Sequence, residues 1–195
     1  MVVRQKFSVK GSVKKVRLVN FMTYVDEVFW PGPGFNVMVG PNGSGKSSVV
    51  TALCVGLGGD VDLLNRQVDL QCLVNTASQC NEALVEVELY VPDNNENLHV
   101  SCKIFKDNPR PTFHINQKMV SKSELVQLVS DLQIQPGNMC QFLPQDVVRD
   151  FPNMTNQQIF HNTVKVVYFS NYKQSTCYNK RTYLGCWGYD SYRDA

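Results

Sequence analysis

Gly40-Pro41-Asn42-Gly43-Ser44-Gly45-Lys46-Ser47-Ser48 satisfies the phosphate-loop pattern G-x-x-x-x-G-K-[ST] at every fixed position. The flanks give the match its context. Phe35-Asn36-Val37-Met38-Val39 reads as a short, mostly apolar strand running into the first glycine, and Ser47 to Leu57 reads as a helix leaving the loop. Gly40, Gly43 and Gly45 lack side chains, so the main chain can close around an anion. The loop amides and the helix N-terminus then face that anion. In such a loop Lys46 reaches the β/γ phosphates and the Ser47 hydroxyl takes Mg²⁺. A chance match of four fixed positions is the competing reading. It would not supply a strand before the loop and a helix after it.

The 195 residues suit one domain or slightly more, and 43% hydrophobic content is enough for a core. A net charge of +2 imposes no polyanionic partner. No run of about 18 apolar residues predicts a membrane span, and Met1 to Phe7 lacks the apolar stretch of a signal peptide. Seven cysteines without a C-x-x-C spacing read as reduced, largely buried thiols of a cytosolic or nuclear protein. His99, His114 and His161 are isolated and predict no metal site.

Residues 1–11 read as a basic arm ending at Gly11. Val13 to Phe21 alternates as a strand, with Val16 and Leu18 on one face and Lys15 and Arg17 on the other. Val25 to Trp30 is a second strand, closed by Pro31-Gly32-Pro33-Gly34. Gly56, Gly58 and Gly59 end the helix of the loop, and residues 60–82 show no period. Ala83 to Val91 alternates, with Val85, Val87, Leu89 and Val91 opposite Glu86 and Glu88 and with Leu84 out of phase. After a turn at Pro92-Asp93-Asn94-Asn95, Leu98–Phe105 and Thr112–Asn116 complete an antiparallel meander. Ser121 and Glu124 form a capping box for a helix through Leu132, whose Leu125, Leu128, Val129 and Leu132 make a core stripe. Thr155 to Gln158 caps a last helix. From about residue 161 the composition changes, and six of the eight tyrosines follow residue 167.

Asn20-Phe21-Met22-Thr23-Tyr24, followed by Gly34 through Ser48, resembles the start of the structural-maintenance-of-chromosomes (SMC) ATPases. Gln141-Phe142-Leu143-Pro144-Gln145-Asp146 after Asn138-Met139-Cys140 narrows the resemblance to the fifth branch of that family. The similarity runs from Val13 to about Met154, roughly three quarters of the chain. It implies an α/β fold, a P-loop NTPase of the ABC/SMC-head type with an antiparallel β subdomain beside a mixed α/β core. Only the N-terminal half of such a head is expected, over residues 12–160, with a divergent tail over 161–195. By the same resemblance, Gly40, Pro41, Asn42, Gly43, Ser44, Gly45, Lys46, Ser47 and Ser48 would hold Mg-ATP. Gln145 matches the Q-loop glutamine, which contacts Mg²⁺ and the water near the γ-phosphate; a solvated loop residue is the alternative. Lys15 and Arg17 face DNA on this reading, or form a plain solvated face. The implied setting is the nucleus, in chromosome organisation, DNA repair and recombination. The implied partners are the family's sixth member, non-SMC subunits and DNA, without a membrane.

Three departures qualify the resemblance. The ABC signature, the Walker B aspartate and the catalytic glutamate belong to the family's distant C-terminal segment, and none is found here. Asp26-Glu27 precedes the loop and lacks an apolar strand before it. Val74 to Gln79 carries no arginine where the family has a basic loop. Beyond Ile159 the charged coiled-coil helix is not continued, which reads as a truncated, alternatively spliced or frame-shifted product of an SMC-type gene. Three functions compete. An ATP-binding half-head would hydrolyse ATP negligibly alone. A non-catalytic fragment would act by protein–protein contact or not at all. A small-molecule kinase, the weakest reading, would need a lid arginine cluster where only Arg149 stands.

Overall fold

The computed structural model describes residues 9–60, 69–92, 96–138, 141–143 and 151–167. Its frame is a six-stranded sheet of order β2-β1-β3-β4-β5-β6. The strands are β1 (Val13–Phe21), β2 (Tyr24–Phe29), β3 (Glu82–Leu89), β4 (Leu98–Phe105), β5 (Thr112–Ile115) and β6 (Lys118–Val120). Every neighbouring pair is antiparallel. Register follows the alternation legible in the sequence. Val16 pairs with Val87 and Leu18 with Val85 on the core face, while Arg17 pairs with Glu86 and Lys15 with Glu88 on the outer face. A one-residue slip would turn each apolar set into water, which is what pins such a register.

Two helices cover the core face. Helix α1 (Lys46–Gly56) buries Val49, Ala52 and Val55 and packs on β3, β1 and β4. Gly56 permits the approach, since a Cβ there would lie 2.7 Å from Cγ1 of Val85. Helix α2 (Lys122–Asp131) starts at the expected capping box, with the Ser121 hydroxyl accepting from the Glu124 amide and the Glu124 carboxylate accepting from the Ser121 amide. Its Leu125 and Val129 are fully buried. The core also holds Phe21, Leu73, Leu89, Val100, Ile104 and Phe113. Helix α3 (Asn156–Val167) opens on Thr155 and Gln158, where the Gln158 amide donates to the Thr155 hydroxyl.

The main difference from expectation lies before the phosphate loop. Phe35–Val39 forms no strand. Phe35 is 95% exposed and Val39 88%, with Val37 and Met38 also open to solvent. The physical reason is the lack of a partner: among the described residues no strand lies beside this segment, so its backbone has no ladder to join. Among the described residues the antiparallel sheet and the helices that cover it are formed as expected for such a half-head, and Phe35–Val39 adds no strand to them. Smaller differences follow from local chemistry. β2 begins one residue earlier, at Tyr24, because Tyr24 pairs with Phe21 across a two-residue turn. β6 was not foreseen, since Asn116 and Gln117 turn the chain with φ of 47° and 69° in a span with little alternation. Residues 1–8, the turn at 93–95 and residues 168–195 of the expected tail lie outside the described residues.

Candidate phosphate-binding site

The loop Gly40–Gly45 lies at the N-terminus of α1. Gly45 is the capping residue, with φ 91° and ψ 7°, a conformation open to glycine and strained for other residues. No side chain caps the helix and no acidic residue stands in its first turn. Its leading amides thus keep their partial positive charge unanswered by any carboxylate of that turn. The Lys46 ammonium folds back over the loop, donating to the carbonyls of Gly40 at 2.7 Å and Pro41 at 2.6 Å. The Ser44 amide donates to the same Pro41 carbonyl at 3.3 Å. The loop is thereby a closed turn with a cation at its mouth.

The remaining loop residues divide by exposure. Asn42, Gly43, Ser44 and Ser47 are open to solvent. A Cβ on Gly43, at φ 83°, would meet nothing within 4 Å. The Ser47 carbonyl accepts from the Thr51 hydroxyl at 3.1 Å within α1, leaving the Ser47 hydroxyl at the helix tip. Ser48 is buried, 4% exposed, and its amide donates to the Gly45 carbonyl at 2.9 Å. Ser48 thus stands at the buried start of the helix. A glycine cradle, an uncapped helix N-terminus, a lysine ammonium held over the loop by two carbonyls, and the exposed Ser44 and Ser47 suit a polyphosphate with its metal. Gln145 lies outside the described residues. Nearby, the Gln141 side chain is used in folding, donating to the Gln133 carbonyl and accepting from the Gln135 amide.

The hairpin of β1 and β2 supports the loop from behind. The Tyr24 hydroxyl donates to the Gly45 carbonyl at 3.0 Å. Asn75, buried, donates through its side chain to the Tyr24 carbonyl at 3.4 Å, and its amide donates to the Asn20 carbonyl at 2.7 Å. Tyr24 lies in Asn20–Tyr24 and Asn75 in Val74–Gln79, and the sequence pattern assigns neither side chain a role. The only signal was the position of the motif before the loop.

On the outer sheet face, Arg17 is bound by Asp26 through two hydrogen bonds of 3.0 and 2.8 Å, with Glu86 at 3.5 Å. The Asp26 pKa is lowered chiefly by that hydrogen bonding from Arg17. Lys15 stands 5.2 Å over the Trp30 ring. Two carboxylates therefore already answer the Arg17 charge, which favours the solvated-face reading for that residue. Among the described residues, Cys54 and Cys102 are buried, and burial pushes their thiols up to about 11 and about 12; Cys72 and Cys80 are exposed. No group of three or more His, Cys, Asp or Glu residues suited to a metal occurs among the described residues.

A family model, RecF/RecN/SMC N terminal domain, matches residues 12–141. Among curated proteins, the chain is 35% identical over 144 residues to "Structural maintenance of chromosomes protein 5" of Schizosaccharomyces pombe, covering 74% of this chain and 13% of that one. It is 36% identical over 157 residues to the protein of the same name in Arabidopsis thaliana, covering 80% and 15%. It is 30% identical over 166 residues to "Structural maintenance of chromosomes protein 6" of Saccharomyces cerevisiae, covering 77% and 14%. The chain thus spans about an eighth to a seventh of the length of these relatives. Among solved structures, it superposes with TM-score 0.69 and 21% identity on a chain from "Structural biochemistry of ATP-driven dimerization and DNA stimulated activation of SMC ATPases", covering 79% of this chain and 98% of that one. It superposes with TM-score 0.64 and 22% identity on an "SmcHead bound to the C-winged helix domain of ScpA", covering 73% and 47%. At these identities the structural likenesses establish the fold.

Proposed function

Because the chain belongs to the RecF/RecN/SMC N-terminal domain family, we propose that it is the nucleotide-binding N-terminal half of an SMC ATPase head of the protein 5 type. The observation that carries the proposal is the Lys46 ammonium curled onto the Gly40 and Pro41 carbonyls above the uncapped N-terminus of α1. In the proposal Gly40–Ser48 wraps the phosphates of Mg-ATP, Lys46 exchanges its two carbonyl contacts for phosphate oxygens, and the Ser47 hydroxyl with Gln145 serves the metal. ATP with its metal would supply the phosphoryl group whose transfer to water powers the complete head. This chain's own share is binding and charge neutralisation, because the carboxylates of the reaction would come from a second segment.

The exposed Phe35, Val37, Met38 and Val39 give that second segment a place to dock. An apolar row leading directly into the phosphate loop is the natural edge for an added strand. The same surface supports the second reading, a non-catalytic fragment acting through protein contact alone. In the complete protein we propose the protein 6 relative, non-SMC subunits of the kind represented by ScpA on a solved SMC head, and DNA as partners, on chromosomes in the nucleus. Reconstitution tests the proposal. The chain is mixed with a separately produced C-terminal half-head of a protein 5 relative, and ATP turnover is followed. Turnover that needs both pieces and disappears in Lys46→Ala supports it. Turnover by this chain alone, or complementation unaffected by Lys46→Ala, would overturn it.

A further inference from the structure

The motif Asn20–Tyr24 has no role in the reading above, yet its last residue touches the loop at its most constrained point. The Gly45 carbonyl accepts two hydrogen bonds, from the Ser48 amide at 2.9 Å and from the Tyr24 hydroxyl at 3.0 Å. The Gly45–Lys46 peptide is trans. In a trans peptide the carbonyl and the following N–H point in opposite directions. The Ser48 amide directs the Gly45 carbonyl along α1, which leaves the Lys46 N–H facing out of the helix N-terminus, and the Tyr24 hydroxyl holds the same carbonyl from the hairpin.

A second contact fixes the same peptide. A Cβ built on Gly45 would lie 2.6 Å from the Thr23 hydroxyl oxygen and 2.8 Å from Cζ and the hydroxyl of Tyr24. The hairpin tip thus abuts Gly45 directly. Tyr24 is itself held, by an edge-to-face contact with Phe29 at 5.5 Å and 79° and by the Asn75 side chain on its carbonyl. Burial, with Glu27 adding to it, raises the phenol pKa.

We infer that Tyr24 is a positioning residue for the phosphate site: its hydroxyl presets the Gly45–Lys46 peptide so that the Lys46 amide is already aimed at an incoming phosphate. The inference rests on the nucleotide-binding reading of Gly40–Ser48. Presetting an amide before the ligand arrives lowers the ordering cost of binding. It also ties the β1–β2 hairpin to the loop.

Tyr24→Phe removes one oxygen and keeps the ring on Phe29 and against Gly45. The test measures binding of a fluorescent ATP analogue with Mg²⁺, the Lys46 amide proton shift by NMR with and without nucleotide, and the urea midpoint of the free chain. Tyr24→Phe is expected to weaken binding about three- to tenfold, the worth of one hydrogen bond, and to reduce the nucleotide-induced shift of the Lys46 amide. Lys46→Ala serves as the control for the site. If the wild type binds and Lys46→Ala does not, but Tyr24→Phe matches the wild type in affinity and amide shift, the role of Tyr24 is overturned and the nucleotide reading stands. That holds even if Tyr24→Phe lowers the urea midpoint, because a merely structural tyrosine would do so. No saturable binding by the wild type overturns both.

Discussion

Alanine placed in turn at Gly34, before the phosphate loop, and at Gly43 and Gly45, within it, should give three graded losses of stability, each set by local geometry. Gly34 has open space around a new Cβ and no positive φ, so Gly34→Ala is expected to stay within about 0.5 kcal/mol of the parent. Gly43 has the same open space but a φ of 83°. Holding an alanine in that left-handed region costs about 1–2 kcal/mol. Gly45 pays the same backbone term at φ 91° and adds an overlap, since the new Cβ would sit 2.6 Å from the Thr23 hydroxyl and 2.8 Å from the Tyr24 ring. Overpacking of this kind costs about 1–3 kcal/mol, giving a total of about 2–5 kcal/mol. With a urea slope of about 1–3 kcal/mol per M, Gly45→Ala should move the midpoint by about 1 M or more, and Gly43→Ala by visibly less. Urea unfolding of the three variants without nucleotide, followed by circular dichroism, makes the comparison. Equal midpoints for Gly43→Ala and Gly45→Ala would refute the claim that the hairpin tip abuts the phosphate loop.

Other expectations follow from the core, the caps and the thiols. Leu18→Ala should destabilise by about 2–5 kcal/mol in the same assay, because Leu18 is fully buried in the sheet's core face; a loss under about 1 kcal/mol would place it outside the core. The Glu124 pKa is lowered, first by the Ser121 amide and then by the Ser121 hydroxyl. A depressed carboxylate stabilises the fold above its unfolded pKa, about 4.3, and loses that contribution as pH falls through the folded value. The midpoint gap between the parent and Glu124→Gln should therefore be widest at neutral pH and close below about pH 4, and a gap that widened in acid would contradict the capping role. In alkylation at pH 8 read peptide by peptide, Cys72 and Cys80 should react first, while Cys54 and Cys102, buried with thiols near 11 and 12, should react only as fast as the fold opens. Rapid labelling of Cys102 would show that β4 is not protected in the core.

The sheet was legible wherever one face is buried. In β1, β3 and β4 the period of two separates Val16, Val85 and Cys102 from Arg17, Glu86 and Ser101, and the register follows from it. The α2 capping box was equally legible, since its Ser121 and Glu124 satisfy each other locally. Phe35–Val39 failed for the opposite reason. Its apolar residues specify a strand whose neighbour is not among the described residues, so pattern alone could not supply the ladder. The phosphate loop was readable as a motif, because its glycines and Lys46 act through backbone geometry that the spacing encodes. Tyr24 and Asn75 were not. Both act across more than 20 residues of chain, at separations of 21 and 51, and only the folded hairpin brings them to Gly45 and to each other.

The proposed role of Gly40–Ser48 is to hold the phosphates of a nucleotide. Titration of the purified 195-residue protein with a fluorescent ATP analogue and Mg²⁺, alongside Lys46→Ala, tests it most directly. Saturable binding by the parent, abolished in Lys46→Ala and competed away by unlabelled ATP, is the expected result. Binding of equal strength by both proteins, or none by the parent, would contradict it.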